Sequence, residues 1–138
     1  MAAFHILSPL FTHFLSAFGF VALLAAKARA ENKPLLVDFT GSDWCGWCIR
    51  LDEEVFSQSA FQAYAAAELV LVEIDFPRRK TLSAELKAQN EALAQQYGIR
   101  GFPTILLLSP EGELIEKNGY RRGGPESYVA HLKEILAK

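Results

Sequence analysis

Residues 35 to 48 read "LLVDFTGSDWCGWC". With Lys33 and Pro34 before it, the stretch opens as a short apolar, β-prone run, and a buried strand is expected over 33–40. Gly41, Ser42 and Asp43 supply turn and capping chemistry. A helix should start near Cys45 and run to about Phe56, with Cys48, Leu51 and Val55 on one face. A strand that turns straight into a helix bearing two cysteines frames the rest of the chain.

Downstream, Ser57 to Ser59 break that helix and a short one follows over 61–67. "LVLVEID" (69–75) is a second strand, ended by Pro77. "TLSAELKAQNEALAQQYG" (81–98) reads as a helix with a stripe of Leu82, Leu86, Leu93 and Tyr97. Gly98 stands where a C-terminal cap belongs. "TILLL" (104–108) is a third strand, "SPEGE" a turn, and "LIEK" (114–117) a fourth, antiparallel strand. Gly124 and Pro125 start a last helix, which turns Tyr128, Leu132, Ile135 and Leu136 to the core. A strand–helix–strand opening implies parallel pairing with a right-handed crossover. The expected fold class is α/β: a small mixed central sheet with helices on both faces.

The chain has 138 residues and two cysteines, which suits one domain able to build a core without staples. Residues 6 to 26 carry no charged side chain, and Ala28 and Ala30 follow as small residues two apart. This pattern predicts a secretory signal over 1–30, cleaved after Ala30, and a folded domain over 31–138. The expected location is therefore periplasmic or otherwise extracytoplasmic. The positive charge usual before such a run is missing. An uncleaved membrane anchor over 6–26, long enough to span, is the alternative, as is a start codon placed elsewhere. A buried core helix is a further reading, though nothing downstream calls for one. Losing Lys27 and Arg29 would take the net charge from −2 to about −4. No basic stripe is visible, so nucleic-acid binding has no electrostatic support. The one basic cluster, Arg78 to Lys80, reads as a solvated loop or helix start. A monomer is expected.

At the first turn of its helix, Cys45 meets unpaired backbone N–H groups and the positive end of the helix dipole. Both favour thiolate, and such sites titrate at roughly 3.5–7.5 rather than near 8.5. The Asp43 charge opposes this but is exposed and screened. Cys48 lies one turn on, close enough for a disulfide with little backbone movement. Cys45 can then attack a substrate disulfide, and Cys48 can release the substrate from the mixed disulfide. A zinc site wants four ligands, whereas the mature chain offers only these cysteines and His131. Covalent haem needs a histidine after the second cysteine, where Ile49 stands. A purely structural bridge closing so small a loop would restrain little chain. Thiol–disulfide exchange is the expected chemistry, with no metal and no organic cofactor.

"LLVDFTGSDWCGWC", followed by "YGIRGFPTILLLSPEGE", resembles the thioredoxin family across nearly all of residues 33 to 137. The resemblance implies a thioredoxin-like fold and protein-disulfide oxidoreductase activity on protein thiols and disulfides. It makes Pro103 the family's cis-proline, a minority form the fold must hold, beside the disulfide; the alternative is a trans proline at a strand start. The Phe102 backbone would pair with an extended substrate. Trp44 would shield the sulfurs and contact substrate, or simply pack. Gly46 and Trp47, between the cysteines, would tune the reduction potential. Trp47 replaces the usual proline, so the direction of transfer does not carry over. Asp38 resembles the buried acid that moves a proton at Cys48; a core aspartate satisfied locally is the alternative. One extra residue in "TGSD" separates it from Cys45, and Leu71 occupies the place of the acid's usual lysine. The segment 76–96 is longer than in thioredoxin by about a dozen residues. These traits resemble secreted members of the family, and by analogy a membrane-embedded thiol relay would be the electron donor or acceptor.

A reading from another class remains. The fold could serve as a non-catalytic module that binds chains in its groove, or its thiols could hand over copper(I). Copper transfer usually wants a nearby methionine, and Met1 is the only one.

Overall fold

The computed structural model describes residues 17–138, with side chains from residue 21 onward. Much of the apolar run read as a leader or anchor, residues 6 to 16, lies outside the described residues. The described elements are helix α1 (Ala17–Glu31), strand β1 (Leu35–Thr40), helix α2 (Gly46–Leu51) with a π-helical continuation (Asp52–Phe56), and helix α3 (Ser59–Glu68). Strand β2 (Val70–Asp75), helix α4 (Ala84–Gln96), strands β3 (Thr104–Leu108) and β4 (Leu114–Asn118), and helix α5 (Gly124–Leu136) follow. The sheet order is β2-β1-β3-β4. β1 and β2 are parallel, with Leu35 opposite Val70 and Thr40 opposite Asp75. β3 runs antiparallel to β1, and β4 antiparallel to β3 with an irregularity at Leu107/Leu108. The mixed α/β architecture expected from the pattern is present.

Alternation along β1 feeds two cores, one on each face of the sheet. Leu36, Ile105 and Leu107 pack with Leu51, Val55, Phe61, Tyr128 and Leu132 from α2, its continuation, α3 and α5. Leu35, Val37, Phe39, Val72 and Leu106 form the opposite core, against which Leu93 and Tyr97 lie. This two-sided burial is why β1 reads as a continuous apolar run rather than an alternating one.

Three elements differ from the sequence reading. Residues 21–30, assigned there to a leader, belong to α1 and contribute to the second core. Ala28 is fully buried, and Val21 and Leu24 pack on the same cluster. α4 starts at Ala84 rather than Thr81, because the Ser83 hydroxyl accepts from the Leu86 N–H at 3.1 Å and caps it there. Its most buried side chains are polar: Asn90 donates to the Asp75 carbonyl at 2.9 Å, and Gln89 donates to Asn90 at 3.0 Å. Its C-terminus closes as expected on Gly98, at φ 63°, with Ile99 N–H donating to the Ala94 carbonyl at 2.8 Å. The helix after Cys45 widens after Leu51. Ser57 N–H donates to the Asp52 carbonyl five residues back at 2.8 Å.

Candidate active site

Gly41 ends β1 in a tight turn. Its carbonyl accepts from Cys45 N–H at 2.9 Å and from Trp44 N–H at 3.2 Å. A side chain at Gly41 would overlap the Trp44 indole. The turn sets Cys45 at the N-cap of α2, where its sulfur accepts from Cys48 N–H at 3.2 Å. The two sulfurs are joined in a disulfide, with Cα atoms 5.2 Å apart, and both residues are buried. Gly46 is exposed with open space around it, and Trp47 is 51% exposed.

Trp44, the residue before Cys45, anchors an aromatic cluster. Trp44 Nε1 donates to the Phe76 carbonyl at 2.6 Å, and its ring meets Phe102 edge-on at 5.9 Å. Phe76 lies against Phe102 at 5.1 Å, and the Phe102–Pro103 peptide bond is cis. The Arg78 guanidinium sits 3.6 Å from the Trp44 ring centroid. A second cluster holds Trp47, whose ring lies 5.0 Å from Tyr120 with Arg50 over both. Glu54 ties this group together, accepting from the Tyr120 hydroxyl and pairing with Arg50 at 3.0 Å. The Tyr120 hydroxyl, then Arg50, hold the Glu54 carboxyl below its usual range.

Asp43 does not face the sulfurs. Its two oxygens accept from the backbone N–H groups of Arg78 and Arg79, each at 2.9 Å. These bonds hold its carboxyl below the usual range. Ser42 bonds Asp75 through its N–H at 2.9 Å and its hydroxyl at 2.5 Å. The additional residue in "TGSD" and the long segment after β2 therefore meet as one braced structure. Each was legible as a departure from thioredoxin. Their contact was not, because it joins residues 35 positions apart.

Asp38 projects from β1 into a cavity of about 170 Å³ shared with Cys48, Ile49, Asp52 and Glu73. Its Oδ1 has no hydrogen-bond partner. Burial, reinforced by the charges of Glu73, Asp52 and Asp75, pushes its carboxyl up to about 7. Leu71, in the place of the lysine, is 46% exposed, and the residue opposite Asp38 in register is Glu73. Burial raises the Glu73 carboxyl as well. Among the described residues, no three His, Cys, Asp or Glu side chains gather as a metal site. His131 Nε2 instead lies 3.2 Å from Asn118 Nδ2.

Residues 22–135 match the family model described as "Thioredoxin-like domain". The chain is 35% identical over 109 residues to the disulfide bond reductase DsbH of Chlamydia pneumoniae, covering 79% of this chain and 66% of that protein. It is 33% identical to the thioredoxin-related protein DsbJ of the same organism, over 70% of this chain but only 27% of DsbJ. A solved DsbH oxidoreductase superposes with a TM-score of 0.80 at 34% identity, covering 84% of this chain and 81% of that one. The chain thus spans about two thirds of the length of one curated relative and about a quarter of the other.

Proposed function

The chain belongs to the thioredoxin-like family, and from that premise we propose that it is an exported protein thiol–disulfide oxidoreductase working in the reductive direction. The observation that carries the reading is the Cys45–Cys48 disulfide at the start of α2, preceded in the chain by Trp44, which packs with Phe102 in an aromatic cluster that includes Phe76. The likeness to a protein named a disulfide bond reductase supports the direction.

In the reduced protein, the Cys45 thiolate attacks one sulfur of a substrate disulfide. The substrate S–S bond breaks, and its other sulfur leaves as a thiolate and takes up a proton. Cys48 then loses its proton and attacks the Cys45 sulfur, releasing the second substrate thiol and closing the Cys45–Cys48 bond. Two electrons have moved to the substrate. A donor thiol pair on another protein, by analogy a membrane thiol relay, returns them, so no organic cofactor enters. Asp38, next to Cys48 and titrating near neutrality, is suited to take up the Cys48 proton in the second step. Trp44 and the Phe102–Pro103 backbone would receive the substrate chain, and Gly46 and Trp47 would set the potential.

We place the protein outside the cytoplasm, delivered by the apolar N-terminal segment. The packing of Ala28 supports retention of α1 in the folded protein. The deciding experiment is insulin-disulfide reduction by the native protein and by Cys45→Ser. Turnover that survives in Cys45→Ser would sink the mechanism. A reduction potential near −270 mV is expected for a reductant; one near −120 mV would reverse the direction.

A further inference from the structure

The sheet topology gathers distant segments at one end. β1 and β2 finish there, β3 begins there, and β4 returns to it, with Asn118 opposite Ile105. The connections 41–45, 76–83, 98–103 and 119–123 therefore surround the disulfide end of the molecule. Six of the seven arginines lie in these connections or in the last turn of the short helix α2: Arg50, Arg78, Arg79, Arg100, Arg121 and Arg122. All six are exposed. Only Arg29 lies elsewhere.

Of these six arginines, only Arg50 forms an ion pair among the described residues, with Glu54 at 3.0 Å. Asp43 accepts from two backbone N–H groups, Asp75 bonds Ser42 and pairs with Lys80 at 3.5 Å, and Glu54 bonds Tyr120 and Arg50; each keeps its charge, and Arg78, Arg79, Arg100, Arg121 and Arg122 remain without an ion pair among the described residues. Asp52, Glu53 and Glu73 line the separate groove beneath Cys48. Arg78 and Arg50 are also held in place, stacked on the two tryptophans that bracket the cysteines. The Arg78 guanidinium, lying on the Trp44 ring with no ion pair among the described residues, keeps its donors free for a carboxylate and gives up little freedom on binding, whereas Arg50 already gives Nε and Nη2 to Glu54. The whole chain carries −2, so this positive rim is a local asymmetry rather than a bulk property.

We infer that the arginine rim around Cys45–Cys48 docks acidic segments of partner proteins that flank the cysteines being exchanged. The inference rests on the redox reading only in placing those cysteines. A protein chain is favoured over a nucleic acid because the rim encircles a disulfide and an aromatic cluster, which suit an extended peptide.

The test is a binding titration of the oxidised, full-length protein, followed by tryptophan fluorescence. The probes are three short peptides with serine in place of cysteine, flanked by glutamate, glutamine or lysine. At about 20 mM NaCl the glutamate peptide should bind about tenfold more tightly than the lysine peptide, and the gap should shrink below about twofold at 500 mM. Arg121→Glu with Arg122→Glu should erase the preference, and Arg79→Glu with Arg100→Glu, on two other connections, should do likewise. Equal binding of the lysine and glutamate peptides overturns the inference. So does a single-stranded oligonucleotide that binds more tightly than the glutamate peptide and displaces it. Turnover of uncharged 2-hydroxyethyl disulfide is measured alongside. Its absence would count against the redox reading, while the charge preference would still be read from the titration.

Discussion

Asp38 is the residue whose environment makes the sharpest demand. Its folded carboxyl titrates near 7 against an ordinary value of 3.8, so the folded state holds a proton that the unfolded chain releases. Stability linked to this group is present below about pH 4 and is lost as pH rises towards 7. Asp38→Asn should therefore stabilise the protein at pH 8 by a few kcal/mol, with a much smaller gain at pH 4, as read by urea melts at both values. The same variant should slow release of the mixed disulfide and remove an inflection near pH 7 from the rate profile. If the inflection persists, the proton acceptor is another group. The sequence marked Asp38 as a candidate but left its role open. Its raised carboxyl comes first from burial and then from the charges of Glu73 and Asp75 on β2 and of Asp52 at the start of the π-helical continuation, none of which can be paired with it by inspection of the chain.

Strands and the C-terminal end of α4 were the legible elements, because their signals are local. Gly98 does what its backbone freedom dictates at the C-terminal end of α4, whereas the start set by the Ser83 hydroxyl lies three residues after the expected Thr81. The buried side of that helix was legible only in part. Of the expected stripe, Leu93 and Tyr97 do pack on the core, but Leu82 and Leu86 are only half-buried while Gln89 and Asn90 are sealed in. A polar pair is tolerated there because the end of β2 leaves a carbonyl that Asn90 satisfies. Asn90→Ala should strand that carbonyl and cost about 1–3 kcal/mol in a denaturant melt. Gly41→Ala should cost at least as much and loosen Trp44, because the new methyl group meets the indole. Loss of the Trp44 contribution to the fluorescence change between oxidised and reduced protein would report it.

For the whole molecule, the question is where the folded unit begins. The sequence pattern favoured residue 31, because residues 6 to 26 look like a leader when read alone. The fold uses the end of that segment, since one face of the sheet has α4 and α1 as its cover. A chain starting at residue 31 should lose at least about 3 kcal/mol and melt about 10 °C lower than one starting at residue 17, as calorimetry would show. Equal melting points would mean that α1 is dispensable. The brace between Asp43 and the backbone of Arg78 and Arg79 carries a lesson for anyone rebuilding this centre. Transplanting the four-residue CGWC motif into another scaffold would move the sulfurs and leave their neighbourhood behind. The "GSD" spacer and the segment after β2 are interlocking halves of one fitting, and a recipient scaffold that lacks either half would have nothing to grip the other.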